Sequence, residues 1–190
     1  NNPYDASGNG YGGGNNDLQK AVDMGKLATE AGMRVLIDFH YSDFWADPGK
    51  QKAPKAWADM TIEQKTAAVK EYTMNSLNTL LDEGVDVGMV QVGNETNNGI
   101  AGESGLANAN TTAIFRAGCE AIQQVERDRN REIKAVVHFA NPEKQNYMTY
   151  AKALADAGVE YDVFASSYYP YWHGTLSNLQ SQLDTIAKTY

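Results

Sequence analysis

The sequence predicts an α/β fold, the (β/α)8 barrel, of which this chain forms an incomplete part. Three observations carry that prediction. Short apolar runs alternate with helical patterns along the chain, which implies a parallel sheet with covered faces. Polar and aromatic residues gather just after every one of those runs: Asp38, His40, Asp43 and Trp45; Asn94 and Glu95; His138 and Asn141; Tyr168, Tyr169 and Trp172. Barrel enzymes load the C-terminal tips of successive strands in this way, whereas an open doubly wound sheet concentrates its site at one switch point. Finally, four strands are too few to close a barrel, which takes roughly 250 residues. A single partial domain over residues 1–190, truncated at both ends, is therefore expected.

The elements follow in order. Residues 1–16, NNPYDASGNGYGGGNN, read as a Gly/Asn-rich surface loop. Its glycines could suggest a phosphate cradle, but the lysine and the preceding strand of a P-loop are missing. A helix is expected over about 17–31, capped by Asn16, with Leu18, Val22 and Leu27 on its apolar side and Gly32 ending it. RVLIDFHY, 34–41, is a buried strand, followed by the long loop SDFWADPGKQKAPKAW. Thr61 opens a second helix, with Gln64 placed for a capping box and Leu77, Leu80 and Leu81 inward. VDVGMVQVG is the next strand, and a helix over about 111–128 follows it. IKAVVHFA (133–140) and YDVFASSYY (161–169) are strands, separated by a helix over about 145–157, and a last helix begins near Thr175.

Bulk properties narrow the function classes. The chain is 42% apolar and carries a formal charge of −8. That suits a folded core and disfavours nucleic acid or anionic membranes as partners. No apolar run has the length of a transmembrane helix. The single cysteine, Cys119, can form neither an internal disulfide nor a thiolate cluster. It lies among helical alanines and reads as a small core residue.

The chemistry points to Glu95. A carboxyl held in a cleft without a cationic partner tends to keep its proton, which suits a general acid. Alone it could be a loop residue; His and Trp at neighbouring tips favour the catalytic reading. The tip aromatics are suited to stacking on sugar faces, with Asn, Asp and His bonding hydroxyls. Asp38, His40, Asp43, Glu95 and His138 could also be read as metal ligands, although no compact ligand motif is present. A serine nucleophile lacks its G-x-S-x-G setting.

The motifs VGMVQVGNETN, VLIDFHYSDFWADPGKQKAPKAW and YDVFASSYYPYWHGTL, with NPYDASGNGYGGGNND and HFANPE, carry a resemblance. The chain resembles, over nearly its whole length, the arabinogalactan endo-β-1,4-galactanases of glycoside hydrolase family 53. The resemblance implies a (β/α)8 barrel, here about strands 3–6, and retaining cleavage of β-1,4-galactan in pectin side chains. Glu95 would be the acid/base at the tip of strand four, and Asn94 the residue that binds the sugar 2-hydroxyl. Asp38, His40, Asp43, Trp45, His138, Asn141, Tyr168, Tyr169 and Trp172 would line the substrate cleft, with one of the two tyrosines reaching the nucleophile.

The same resemblance puts the nucleophile at the tip of strand seven, beyond Tyr190, and Asp43 and Glu103 do not match its motif. The isolated chain is therefore expected to be inactive or a weak sugar binder. The calcium site of the family belongs to the loop after strand seven, so no metal or cofactor is expected here. The implied whole is a secreted monomer acting on a polysaccharide. Cellulase-type and mannanase-type glycanases, a metal-dependent sugar isomerase or hydrolase, and a non-catalytic carbohydrate-binding fragment are the competing readings. Asn94 and Asn110 are formal glycosylation sequons, the first expected to stay unmodified because it lies in the proposed site.

Overall fold

A computed structural model describes residues 7–9, 16–105 and 108–190. Most of the Gly/Asn-rich loop expected over 1–16 lies outside them. Helix α1 runs Leu18–Glu30. Its cap is Asp17 rather than Asn16: the Asp17 carboxylate accepts the Lys20 N–H at 2.9 Å. Both residue types cap well, and the carboxylate gains from the helix dipole as well. Val22 and Gly25 are buried, whereas Leu27 is exposed, contrary to the periodicity, because no described element covers that side of α1.

Strand β1, Val35–Phe39, is shorter than its apolar run because the chain turns at Tyr41, which has a positive φ. Helix α2, Ile62–Asp82, opens with the expected capping box. The Thr61 hydroxyl accepts from Gln64 N–H at 3.3 Å and the Gln64 side chain accepts from Thr61 N–H at 3.0 Å. Leu77 and Leu80 are fully buried and Leu81 partly so. Strand β2, Val87–Val92, leads into a two-residue hairpin, β3 Gly99–Ile100 with β4 Glu103–Ser104. Helix α3, Ala109–Arg129, starts two residues earlier than its pattern suggests, because the Asn108 side chain caps Asn110 and Thr111. Strand β5 (Lys134–Ala140), helix α4 (Tyr147–Asp156), strand β6 (Val163–Ser167) and helix α5 (Leu176–Thr189) complete the chain.

The main sheet is parallel throughout, in the order β1-β2-β5-β6. Sheet order thus follows chain order, as in consecutive strands of a barrel; a doubly wound sheet would reverse at a switch point. Right-handed crossovers in one direction put every helix on the same face. On that face Ile37, Phe39, Val90, Val92, Val137 and Phe139 are buried with Ile114, Phe115 and Ile122 of α3. Phe39, Tyr41, Trp57 and Tyr72 form one aromatic group, and Phe139, Tyr147, Tyr150 and Phe164 another. The other face is not covered as the apolar runs implied: Leu36 and Met89, register partners, are 48% and 37% exposed. Among the described residues no helix is long and apolar enough to cross a membrane.

Gly118 lets α3 lie close on β2, since an added Cβ would stand 2.6 Å from Val92 Cγ1. Gly118→Ala gains about 1 kcal/mol of helix propensity but overpacks a tight contact, which costs about 1–3 kcal/mol. The net expectation is destabilisation, read as a lower urea midpoint; an unchanged or raised midpoint would mean that the helix lifts freely. Cys119 is 2% exposed, and burial pushes its thiol up to about 12. The thiolate is the reactive form, so a thiol reagent is expected to label Cys119 only after unfolding.

Candidate active site

The chain leaves strand β2 at Gly93, with φ +79. A Cβ there would stand 2.6 Å from Thr96 Cγ2 and 2.7 Å from Ile100 Cδ1, so the strand can turn sharply only on glycine. Glu95 is left-handed, with φ 47 and ψ 53. For a residue with a side chain this costs roughly 1–2 kcal/mol, and it persists only where neighbours over-determine it. Here they do. The Glu95 N–H donates to His138 Nδ1 at 3.0 Å. Gln51 Nε2 donates to the carbonyls of Asn94 at 2.9 Å and Glu95 at 3.2 Å. Thr96 Oγ1 donates to the His138 carbonyl at 2.8 Å, and the Asn97 amide makes both possible bonds to the Ala140 backbone. Short polar side chains in NETN thus pair with β5 where the ladder has stopped.

Asn94 is fixed at both ends of its amide. Its Nδ2 donates to the Ala46 carbonyl at 2.8 Å, and its Oδ1 lies 3.3 Å from Gln91 Nε2. Gln91, 6% exposed, also donates to Asp38 Oδ1 at 2.7 Å. Asp38 Oδ2 pairs with His40 Nε2 at 3.0 Å, and His40 Nδ1 accepts the Ala46 N–H at 2.6 Å. Backbone N–H groups can only donate, so His40 carries its proton on Nε2. The Ala46 peptide is therefore gripped by His40 on one side and Asn94 on the other, which places Trp45 beside them.

His138 is 8% exposed. Its Nδ1 accepts from Glu95, so its proton is on Nε2, facing the Ser167 hydroxyl at 3.1 Å. Burial lowers its pKa from the ordinary histidine range, partly opposed by the charges of Asp38 and Glu95. Both ring nitrogens are engaged within the protein, which leaves His138 no free donor for a sugar hydroxyl.

The remaining expected site residues lie around this cluster. Asp43 Oδ2 accepts the Lys55 N–H at 2.7 Å and so holds the turn that leads to Trp57. Trp45 is 56% exposed, edge-on to Phe44, with Lys50 Nζ 6.0 Å from its ring. These residues, with Ser42, Lys52, Ala53 and Lys55, line a cavity of about 490 Å³. Asn141 has φ 64, and its Oδ1 accepts the Lys144 N–H at 3.2 Å, closing the turn after β5. The Tyr168 hydroxyl donates to the Gly174 carbonyl. Tyr169 and Trp172 are 51% and 67% exposed, their rings 5.9 Å apart. Asp38, His40, Asn94, Glu95 and His138 thus share one network, and the β6 tip reaches its edge through Ser167, whose carbonyl lies 3.2 Å from His173 Nδ1, the acceptor of the Tyr169 N–H at 3.1 Å. Among the described residues no three His, Cys, Asp or Glu side chains gather as a metal ion requires.

Three members escaped the sequence reading. Gln91 had a signal: it is a polar residue inside a valine-rich strand, and such a group is buried only with partners. Ser167 had a weaker one, since it ends β6 on the face that His138 shares, through the His138–Ala165 register. Gln51 had none, because its partners are backbone carbonyls distant in sequence.

The model of glycosyl hydrolase family 53 matches residues 1–190. An endo-beta-1,4-galactanase of Bacillus subtilis (strain 168) is 56% identical over 191 residues, covering 100% of this chain and 43% of that protein. An arabinogalactan endo-beta-1,4-galactanase of Cellvibrio japonicus (strain Ueda107) is 37% identical over 183 residues, covering 92% and 48%. The family 53 catalytic domain of Ignisphaera aggregans superposes with a TM-score of 0.91 at 40% identity, covering 100% of this chain and 52% of that one. The α/β arrangement therefore matches the (β/α)8 catalytic domain of that family, and the chain spans about half the length of the curated relatives it matches.

Glu103, an acid on the short strand β4, has a structural partner. Its Oε1 accepts from Lys65 Nζ at 2.5 Å and its Oε2 from Asn110 at 2.9 Å. Lys65 is 5% exposed. Its hydrogen bond holds the Glu103 carboxyl below the usual glutamate range. Glu103→Ala leaves a buried ammonium unpaired and is expected to cost about 3–5 kcal/mol. A group whose folded pKa is depressed contributes its stability above the unfolded value and loses it as pH falls through the folded one. Stability measured against pH should therefore show the gap between parent and variant complete above about pH 4.5 and narrowing below it. A gap independent of pH would remove the ion pair as its cause.

Proposed function

From the premise that this chain belongs to glycosyl hydrolase family 53, we propose that the protein it represents is a retaining endo-hydrolase of β-1,4-galactosidic bonds, with Glu95 as general acid/base. The observation that carries the reading is the strained Asn94-Glu95 tip, held from β5 on one side and from the loop after β1 on the other. Relatives with galactanase names supply the substrate class.

In the first step, the Glu95 carboxyl gives its proton to the glycosidic oxygen as the bond to the anomeric carbon breaks. A second carboxylate attacks that carbon and forms a glycosyl ester. In the second step, Glu95, now ionised, takes a proton from water. The water oxygen bonds to the anomeric carbon and the carboxylate departs, which retains configuration. Two such carboxyls stand roughly 5–5.5 Å apart. The family resemblance assigns the second one to a strand outside these 190 residues. Asp38, the acid within the network, is instead bonded to His40 and Gln91.

Asn94, with its amide fixed, is assigned the sugar 2-hydroxyl. Trp45, Tyr169 and Trp172 supply exposed ring faces for sugar stacking. They also favour the second reading, in which this chain alone binds galactan without cleaving it. The expected place of action is outside the cell, where a polymer too large to cross a membrane is met.

In the complete protein, Glu95→Gln is expected to lower kcat on β-1,4-galactan by roughly 10²–10⁴-fold, the usual worth of a positioned proton donor. Galactan binding measured by calorimetry should stay within a few-fold. Retention of full turnover would sink the assignment of Glu95. Faster release of reducing ends from cellulose or mannan than from galactan would overturn the substrate.

A further inference from the structure

We propose that His138 is a positioning residue for Glu95: its bare Nδ1 holds the Glu95 peptide in the left-handed conformation that presents the acid. The inference rests on the reading of Glu95 as acid/base and goes beyond it, because it puts a second titrating group behind the first. The Glu95 N–H has turned out of the strand ladder, and its partner is His138 Nδ1 at 3.0 Å. Ser167 faces the opposite ring nitrogen at 3.1 Å, and its hydroxyl can accept from or donate to that atom, so a proton moved onto Nδ1 would forfeit the Glu95 bond alone. The His138 carbonyl accepts from Thr96 as well, so one residue grips the chain on both sides of the Glu95–Thr96 peptide.

Protonating the ring would set two donors, Nδ1–H and the Glu95 N–H, against each other. The left-handed turn would lose the restraint on its N–H and keep the Gln51 bonds to the Asn94 and Glu95 carbonyls and the Thr96 bond to the His138 carbonyl. Several groups bear on this proton. From β1 and its loop come Asp38 and His40; from the β2 tip comes Glu95 itself. Beyond Ser167 stand His173, with Nδ1 3.2 Å from the Ser167 carbonyl, and Tyr147 of α4, bonded to Ser166. The two carboxylates favour the charged ring, whereas burial and His40 oppose it, and burial is the largest effect. The ring is thus neutral at pH 7 and loses its hold on Glu95 only in acid, below the ordinary histidine range.

The experiment uses the complete galactan-cleaving protein, with His138→Ala and His138→Asn beside Glu95→Gln. Asparagine keeps an acceptor near the place of Nδ1 and has nothing to titrate. His138→Ala is expected to lower kcat by about ten- to a hundredfold, the scale of a misplaced catalytic group, with KM little changed. His138→Asn should recover most of that loss and move the acid limb of the kcat profile to lower pH. If His138→Asn fares no better than His138→Ala and the limb stays where it was, the proposal is wrong. The ¹⁵N spectrum of the unaltered protein at pH 7 tests it without any variant: a bare Nδ1 and a protonated Nε2 support it, and a proton on Nδ1 overturns it. Turnover by Glu95→Gln would instead defeat the acid/base reading, whatever the His138 variants do.

Discussion

The left-handed peptide at Glu95 is the constraint on which the site depends. A strand cannot carry a side chain across its own end without leaving the extended conformation. Here the chain does so over three residues, Gly93, Asn94 and Glu95, two of them with positive φ. Neighbours collect hydrogen-bonding groups released by that turn: the Glu95 N–H by His138, the Asn94 and Glu95 carbonyls by Gln51, and the following side chains by the β5 backbone. The strain is modest against the bonds that oppose it, since each such bond is worth about 1 kcal/mol and several act together.

The rest of the fold serves that turn. Parallel order puts the tips of β1, β2, β5 and β6 at one end, where side chains from different strands meet. Asp38 reaches Gln91 from β1, and Ser167 reaches His138 from β6. Below them the helices bury the opposite face, and Gly118 lets α3 approach β2 closely. Packing keeps the strands in register, and the register decides which polar groups are neighbours at the tips.

Much of this was legible in the sequence because it rests on local rules. Period, capping residues and glycine stops placed the helices to within a few residues, and the capping box at Thr61 was readable from Gln64 alone. Asn16 and Asp17 are both good caps, and only the carboxylate contact to Lys20 decides between them. Leu27 failed because periodicity shows which side of a helix is apolar, not whether anything covers it. At the site, residue types announced Asn94 and Glu95, while the division of labour was hidden. His138 looks from sequence like a ligand for sugar; its burial and two internal partners became visible only once β5 was set beside β2. Gln51 acts through backbone carbonyls 43 and 44 residues away, and no pattern in its own neighbourhood reports that.

The loop after β1 has no regular structure beyond one short 3₁₀ turn and one isolated bridge, yet it is closed on itself in overlapping rings. His40 bonds to Ala46, Asp43 to Lys55, and Asp47 pairs with Lys50. Further bonds tie it to the β2 side, through Ala46, Pro48 and Gln51. Its conformational entropy has thus been surrendered during folding. A chain molecule arriving at this rim restricts its own torsions and a few side-chain rotamers, and little more. Flexibility resides in the ligand rather than in the receptor, so a stiff ligand gains over a floppy one at equal contact area.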